Sequence, residues 1–136
     1  MKFFFDANLS PRMARGIAGL SGTYGDVQVA TLLDMFPKDV KDVDFINSLS
    51  ETGQWCIVSI DRFTKHHNAE REALRRGGHI VFVLEKQWST VPYWIKAERL
   101  VKWWPQIVNQ ARILESGMLS VPFAHRTTAK FKQIRL

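Results

Sequence analysis

The chain has 136 residues and a single cysteine, Cys56, so a disulfide cannot form within it. Proteins without disulfides are typical of a reducing compartment, and the expected location is the cytoplasm. Apolar runs are also short, since none approaches the roughly 18 residues of a membrane-spanning helix. The N-terminus lacks the long apolar stretch of a signal peptide, because Asp6 interrupts it. The sequence therefore predicts a cytoplasmic protein with no membrane partner.

Acidic residues are fewer than basic ones, 13 Asp and Glu against 19 Lys and Arg, and the net charge is +6. This balance favours an anionic partner, for which nucleic acid is the usual candidate. A basic surface of scattered, solvated lysines is the alternative. The sequence contains no repeats, low-complexity tracts or shifts in composition, so we expect a single domain over residues 1–136.

Short continuous apolar runs alternate along the chain with segments in which apolar residues recur at helical spacing. Runs without strict alternation are typical of strands buried on both faces, as in a parallel sheet. The order of these segments predicts an α/β fold with a mainly parallel central sheet. Pro105 is expected to kink or divide the last helix. The predicted strands are 2–6, 26–30, 55–60 and 79–84, with a terminal strand or hairpin from 121–124 and 130–134; the predicted helices start at Ser10–Pro11 and span 43–52, 69–76 and 91–116.

Two of the predicted strands end on an aspartate, Asp6 after the first apolar run and Asp61 after the third. The carboxyl edge of a parallel sheet is where open α/β folds bind their ligands. Two carboxylates converging on one crevice repel each other unless a cation or a shared proton lies between them. The pair therefore indicates a cation site, although each aspartate taken alone also suits an ordinary turn.

A third acidic cluster, Asp39, Asp42 and Asp44, precedes the helix that leads into the third strand. Mg²⁺ and Mn²⁺ prefer carboxylate oxygens and leave part of their coordination shell to water and substrate phosphates. In the alternative reading, Asp42 is a helix N-cap and Asp44 only complements the helix dipole. Competing metal patterns are weak, because the cysteine stands alone and the adjacent pair His66–His67 lacks the spacing of a helical zinc pair.

Three motifs in consistent order resemble those of PIN-like nuclease domains. Residues 3–12, Phe-Phe-Phe-Asp-Ala-Asn-Leu-Ser-Pro-Arg, are similar to a hydrophobic strand that ends in Asp-x-Asn-Leu. Residues 42–46, Asp-Val-Asp-Phe-Ile, resemble the acidic start of a helix in that family, and residues 57–62 resemble its second strand-end aspartate. Residues 68–74 look like the following helix of the VapC-type toxin branch. The resemblance covers roughly residues 1–85.

The resemblance implies a three-layer PIN-like fold and a Mg²⁺- or Mn²⁺-dependent endoribonuclease that hydrolyses RNA phosphodiester bonds. It implies Asp6, Asp42 and Asp61 as the catalytic, metal-binding acids, with Asp44 as a substitute or a fourth ligand. It also implies a toxin–antitoxin role, with a cognate antitoxin and a homodimer as partners. Many family members carry another acid two residues after the strand-end aspartate, where this chain has Phe63; Glu70 is the candidate replacement. The alternative is a catalytically inactive RNA-binding or regulatory module.

Basic side chains follow the predicted acids and are candidates for binding RNA phosphates. Alternatively, each of these side chains is an ordinary solvated cation of a helix or loop. Tryptophans near the C-terminus are interpreted mainly as core residues, with Trp94 and Trp104 inward and Trp103 facing solvent or a partner. The C-terminal helix is also a candidate antitoxin or dimer contact. The predicted RNA-binding residues are Asn8, Arg12, Arg62, Lys65, His67, Arg71 and Arg75.

Overall fold

The computed structural model describes residues 1–64, 68–128 and 130–136. A six-stranded sheet runs through the molecule in the order β2-β1-β3-β4-β5-β6. Strands β1 to β5 pair in parallel, and β6 pairs with β5 in the antiparallel sense. The predicted terminal strand within 130–134 is confirmed, whereas its partner is Gly117–Val121, so the predicted bounds of 121–124 are wrong. The strands are β1 (Lys2–Phe5), β2 (Gln28–Thr31), β3 (Cys56–Ser59), β4 (Ile80–Leu84), β5 (Gly117–Val121) and β6 (Lys132–Ile134).

Helices cover both faces of the sheet and give three layers, which confirms the predicted fold class. The helices are α1 (Pro11–Ser21), α2 (Leu32–Met35), α3 (Asp42–Ser50), α4 (Ala69–Gly77) and α5 (Tyr93–Ile113). One hydrophobic core lies between the sheet and helices α1 and α5, and a second lies between the sheet and helices α3 and α4. Within the described ranges, none of the helices is both long and apolar enough to cross a membrane.

The sequence of strand β1 is apolar at consecutive positions because the strand is buried on both faces. Phe3 and Phe5 enter the core beneath α1 and α5, while Phe4 enters the core beneath α3. All three rings are fully buried. Successive side chains of a strand point to opposite faces, so a strand covered on both sides needs apolar residues at every position.

Local signals set the start of α1 as predicted. The Ser10 hydroxyl accepts a hydrogen bond from the Arg12 N–H at 3.2 Å, and Pro11 occupies the first helical position. The N-cap interpretation of Asp42 is wrong, because Asp42 is the first residue of α3 and Lys41 occupies the cap.

Helix α5 continues through Pro105, so the predicted division of this helix is wrong. Pro105 lies on the exposed side, where water can bind the carbonyl that lacks a helical partner. Trp103 is 0% exposed and Trp94 is 80% exposed, so the predicted orientations of both side chains are wrong, whereas Trp104 is buried as predicted. Trp94 and Trp103 differ by nine positions, about two and a half helical turns, and so lie on opposite faces.

Candidate metal centre

The strand-end aspartates Asp6 and Asp61 lie at the same edge of the sheet. Strands β1 and β3 are neighbours and parallel, with Phe5 opposite Val58. The backbone N–H of Asp6 donates to the Val58 carbonyl at 3.0 Å, which extends this pairing to the aspartate itself. The prediction that the two strands are parallel is confirmed, and both acids follow the carboxyl ends of their strands.

A hydroxyl group connects the two strand ends. Ser59 donates from Oγ to Oδ2 of Asp6 at 2.8 Å. The Ser59 Oγ also accepts two hydrogen bonds, from the Asp61 N–H at 2.9 Å and from Nδ2 of Asn8 at 3.1 Å. Oδ1 of Asn8 in turn accepts from the Ile60 N–H at 3.3 Å. Asn8, which the sequence predicted as an RNA contact, thus holds the β3 end against the β1 end.

The loop after Asp61 is anchored by Phe63. Oδ1 of Asp61 accepts from the Phe63 N–H at 2.8 Å, and Phe63 adopts a positive φ of 56°. Its ring is fully buried, at 6.4 Å from the ring of Phe45 in α3. A positive φ costs on the order of 1 kcal/mol for a residue with a side chain, and burial of the ring offsets this cost. The buried ring of Phe63 therefore anchors the loop that carries Asp61.

Three carboxylates converge at this edge. One oxygen each of Asp42, Asp61 and Glu70 lies within 4.8 Å of the other two. Asp42 and Asp61 are partly buried, whereas Glu70 is 1% exposed. Asp42 begins α3 and Glu70 is the second residue of α4, so both carboxylates lie at the positive end of a helix dipole.

Packing between α3 and α4 brings Asp42 and Glu70 together. Phe45 and Leu49 of α3 and Leu74 of α4 share one core with Phe63. Sequence reasoning found Asp42 and Asp61 and held Glu70 as a replacement. It missed Ser59, whose signal was its position as the last residue of the strand before Asp61.

The other two predicted metal-binding residues, Asp44 and Asp6, are not members of this group of three carboxylates. Asp44 is exposed on α3, outside the group of Asp42, Asp61 and Glu70. Asp6 is 5% exposed, and its Oδ1 accepts from the Ala7 N–H at 2.7 Å. Its second oxygen is the one that Ser59 binds, so Asp6 is joined to the Asp61 backbone through that hydroxyl.

The donor set fits a hard divalent cation. All three ligand atoms are carboxylate oxygens, the type that Mg²⁺ and Mn²⁺ prefer. Two neighbouring oxygens on an octahedral ion lie about 3 Å apart, and two opposite oxygens about 4 Å, when each metal–oxygen distance is about 2.1 Å. Small side-chain rotations therefore suffice to bring oxygens that lie within 4.8 Å onto one ion.

The predicted RNA-binding cations fall into two groups. Arg12 and Arg62 are exposed near the acids in sequence, at the start of α1 and directly after Asp61. The guanidinium of Arg71 donates to the Arg62 carbonyl at 3.1 and 3.3 Å and to the Arg135 carbonyl at 2.6 Å. Arg75 pairs with Glu72 on the same helix. Two further predicted contacts, Lys65 and His67, lie outside the described residues.

Two other groups capable of chemistry are buried away from these acids. Burial raises the pKa of the Cys56 thiol to about 12, which disfavours a nucleophilic thiolate. His79 is fully buried, and its Nδ1 accepts from the Trp55 N–H at 3.0 Å. Its Nε2 lies 2.9 Å from the hydroxyl of Ser50. Both ring nitrogens thus serve the packing of α3 against the sheet.

Comparison with known proteins bears on the same part of the chain. A search of curated proteins and a search of solved structures each found no significant match. A family model described as "PIN like domain" matches residues 1–86, which include strands β1 to β4 and all the acids described above. Because the match covers 86 of the 136 residues, the chain belongs to the PIN-like domain family.

Proposed function

We propose that this protein is a Mg²⁺- or Mn²⁺-dependent endoribonuclease that hydrolyses RNA phosphodiester bonds. The observation that carries the proposal is the convergence of Asp42, Asp61 and Glu70 within 4.8 Å at the carboxyl edge of a PIN-like sheet. A divalent cation bound there would lower the pKa of a water molecule and offset the charge of the attacked phosphate.

Each side chain has a proposed role. Asp42, Asp61 and Glu70 hold the cation, and Asp6 joins them as a further ligand from the neighbouring strand end, to which Ser59 connects it. Ser59 and Asn8 are positioning residues that fix Asp6 relative to Asp61. Arg62 and Arg12 hold RNA phosphates on either side of the acids.

RNA is the proposed substrate because the chain carries a net charge of +6 and exposed arginines follow both strand-end acids. The finer assignment rests on the motif order over residues 1–85, which resembles the VapC-type toxin branch. We propose from this resemblance a cytoplasmic toxin with a cognate antitoxin and a homodimeric state.

A second candidate function is an inactive RNA-binding or regulatory module. The observation that favours it is Phe63, which fills with an apolar ring the position where many relatives carry an acid. The two functions differ in their need for metal, because binding uses the cations whereas cleavage also requires the acids.

Substitution Asp61→Asn tests the proposal. It keeps the shape of the side chain but removes one ligand charge, and we expect the rate of Mn²⁺-dependent RNA cleavage to fall at least about a hundredfold. The measurement is cleavage of a labelled RNA by purified protein with Mn²⁺, with and without EDTA. Asp44→Asn is the matched control, since it removes an exposed carboxylate from the same edge and is expected to cleave at nearly the wild-type rate.

Two outcomes contradict the nuclease. Undiminished cleavage by Asp61→Asn, or cleavage that EDTA does not inhibit, would remove the acids from the reaction. Wild-type protein that binds RNA without cleaving it in Mg²⁺ or Mn²⁺ would instead support the inactive module.

A further inference from the structure

A groove lies between helices α1 and α5, with a volume of about 230 Å³. Its lining includes Gly16, which has no side chain, and Ala97, which has only a methyl group, so little side-chain volume fills the space between the helices at these positions. Arg12 contributes the charged side chain among the described lining residues, and Tyr93 and Trp94 form the wall opposite.

The aromatic end of this groove is at the same edge of the sheet as the acids. Helix α1 follows β1 and helix α5 follows β4, so both begin at the carboxyl edge. Arg12 is the second residue of α1, and Tyr93 and Trp94 are the first two residues of α5. Leu20 and Val101 line the opposite end, two turns further from that edge.

The aromatic pair is exposed to an unusual degree. Trp94 is 80% exposed, whereas the other four tryptophans are buried. The Tyr93 and Trp94 rings contact each other edge to face, with their centroids 5.4 Å apart. Aromatic faces held at a surface beside a cation are typical of sites that stack unpaired bases and hold the adjoining phosphate.

We propose that Tyr93, Trp94 and Arg12 bind one unpaired nucleotide of RNA that flanks the cleaved phosphodiester. Trp94 stacks on the base, Tyr93 supports the indole ring, and Arg12 holds a phosphate. This proposal rests on the proposed ribonuclease function and extends it, because it makes single-stranded RNA the substrate class. The charge of Arg12, the net charge of +6 and the shared edge favour RNA over a protein as the occupant.

The experiment measures binding of a short, labelled single-stranded RNA of mixed sequence across a salt series. All proteins carry Asp61→Asn, which prevents cleavage during the measurement. We expect Trp94→Ala to weaken binding roughly 5- to 150-fold at every salt concentration, as loss of one stacked base does, without changing the salt dependence. Trp94→Phe is expected to restore most of the affinity. Arg12→Gln is expected to lower the log–log salt slope by about 0.7.

Ile95→Ala is the matched control, since Ile95 is 47% exposed on the same helix turn but does not line the groove. Unchanged affinity in Trp94→Ala, while the parent protein binds RNA and the wild type cleaves it, overturns the stacking site and leaves the nuclease standing. A parent that does not bind and a wild type that does not cleave overturn both. If Trp94→Ala instead abolishes self-association on a sizing column and leaves RNA binding intact, the groove is a protein interface and the proposal is wrong.

Discussion

The Ser59 hydroxyl group uses all of its hydrogen-bonding sites to hold residues at the ends of strands β1 and β3. A serine hydroxyl has one donor and two acceptor lone pairs. The donor is used by Asp6, and the lone pairs are used by Asn8 and by the backbone of Asp61. Since Ser59 is fully buried, water cannot replace any of these partners easily. This one oxygen atom therefore joins the side chain of Asp6 to the backbone of Asp61, in addition to the backbone pairing of β1 with β3.

Substitution Ser59→Ala is expected to lower the free energy of unfolding by about 1–3 kcal/mol, because buried polar partners lose their hydrogen bonds. Urea unfolding in the presence of EDTA measures this loss without metal. Ser89→Ala is the matched control, since the Ser89 hydroxyl makes one bond, to the Lys86 carbonyl, on an exposed turn. We expect the control to stay within about 0.5 kcal/mol of wild type. An equal effect of the two substitutions would contradict the role given to Ser59.

We expect His79 to make folding sensitive to mild acid. Burial lowers the pKa of its ring below the ordinary value of 6.5, and protonation of Nδ1 would break the bond from the Trp55 N–H. The unfolded chain therefore takes up this proton first as the pH falls. Stability is fully present above pH 6.5 and decreases as the pH falls from there towards the folded-state pKa, by up to about 1.4 kcal/mol per pH unit.

Urea unfolding at a series of pH values between neutral and mildly acidic checks this expectation. In His79→Gln the slope of stability against pH should flatten over that range, whatever the stability of the variant at neutral pH. His125→Gln, at a partly exposed histidine, is the control with a smaller expected change. A slope in His79→Gln that matches the wild type would show that another group titrates.

At the scale of secondary structure, elements with local signals could be predicted from sequence. Strands β1 and β3 follow from apolar runs that end on aspartate, and α1 follows from Ser10 and Pro11. The orientation of Trp94 could not be predicted, because an amphipathic helix with apolar residues on several faces does not reveal which face meets the sheet. Only the packing of α5 against β1 selects Trp104, whose ring lies 4.7 Å from Phe3.

Some residues of the candidate site could likewise be predicted from local sequence patterns, whereas others could not. Asp42 and Asp61 were predictable because each follows a recognisable pattern at the start of a helix or the end of a strand. Glu70 belongs to the group because α3 packs against α4, a contact between segments that no local pattern specifies. The role of Arg71 was hidden for the same reason, since its partner Arg135 lies 64 positions away along the chain.

At the scale of the whole molecule, exposed arginines lie both at the carboxyl edge of the sheet and at the opposite edge, so the contribution of each edge to RNA binding can be tested separately. Arg62 lies at the carboxyl edge beside Asp61, while Arg112 lies near the end of α5 and pairs with Asp26, two residues before β2. We expect Arg62→Gln to weaken RNA binding and to lower the log–log salt slope by about 0.7. Arg112→Gln changes the net charge equally and is expected to leave the slope unchanged.

RNA affinity across a salt series measures both variants. Equal losses in Arg62→Gln and Arg112→Gln would mean that the protein attracts RNA through its overall charge. No change in either variant would mean that RNA binds elsewhere, and the basic residues 126–135 would be the next segment to test.

The side chain of Arg71 links the part of the chain that matches the family model, residues 1–86, to the C-terminal end of the chain. One side of its guanidinium holds the carbonyl of Arg62, in the loop that carries Asp61, and the other side holds the carbonyl of Arg135, beyond β6. The family match ends at residue 86, yet the position of an acid within it is braced from the far end of the chain. The C-terminal segment beyond the family match therefore supports the edge of the sheet that carries the acids, and sequence changes there are expected to shift the Asp61 loop without replacing any acid.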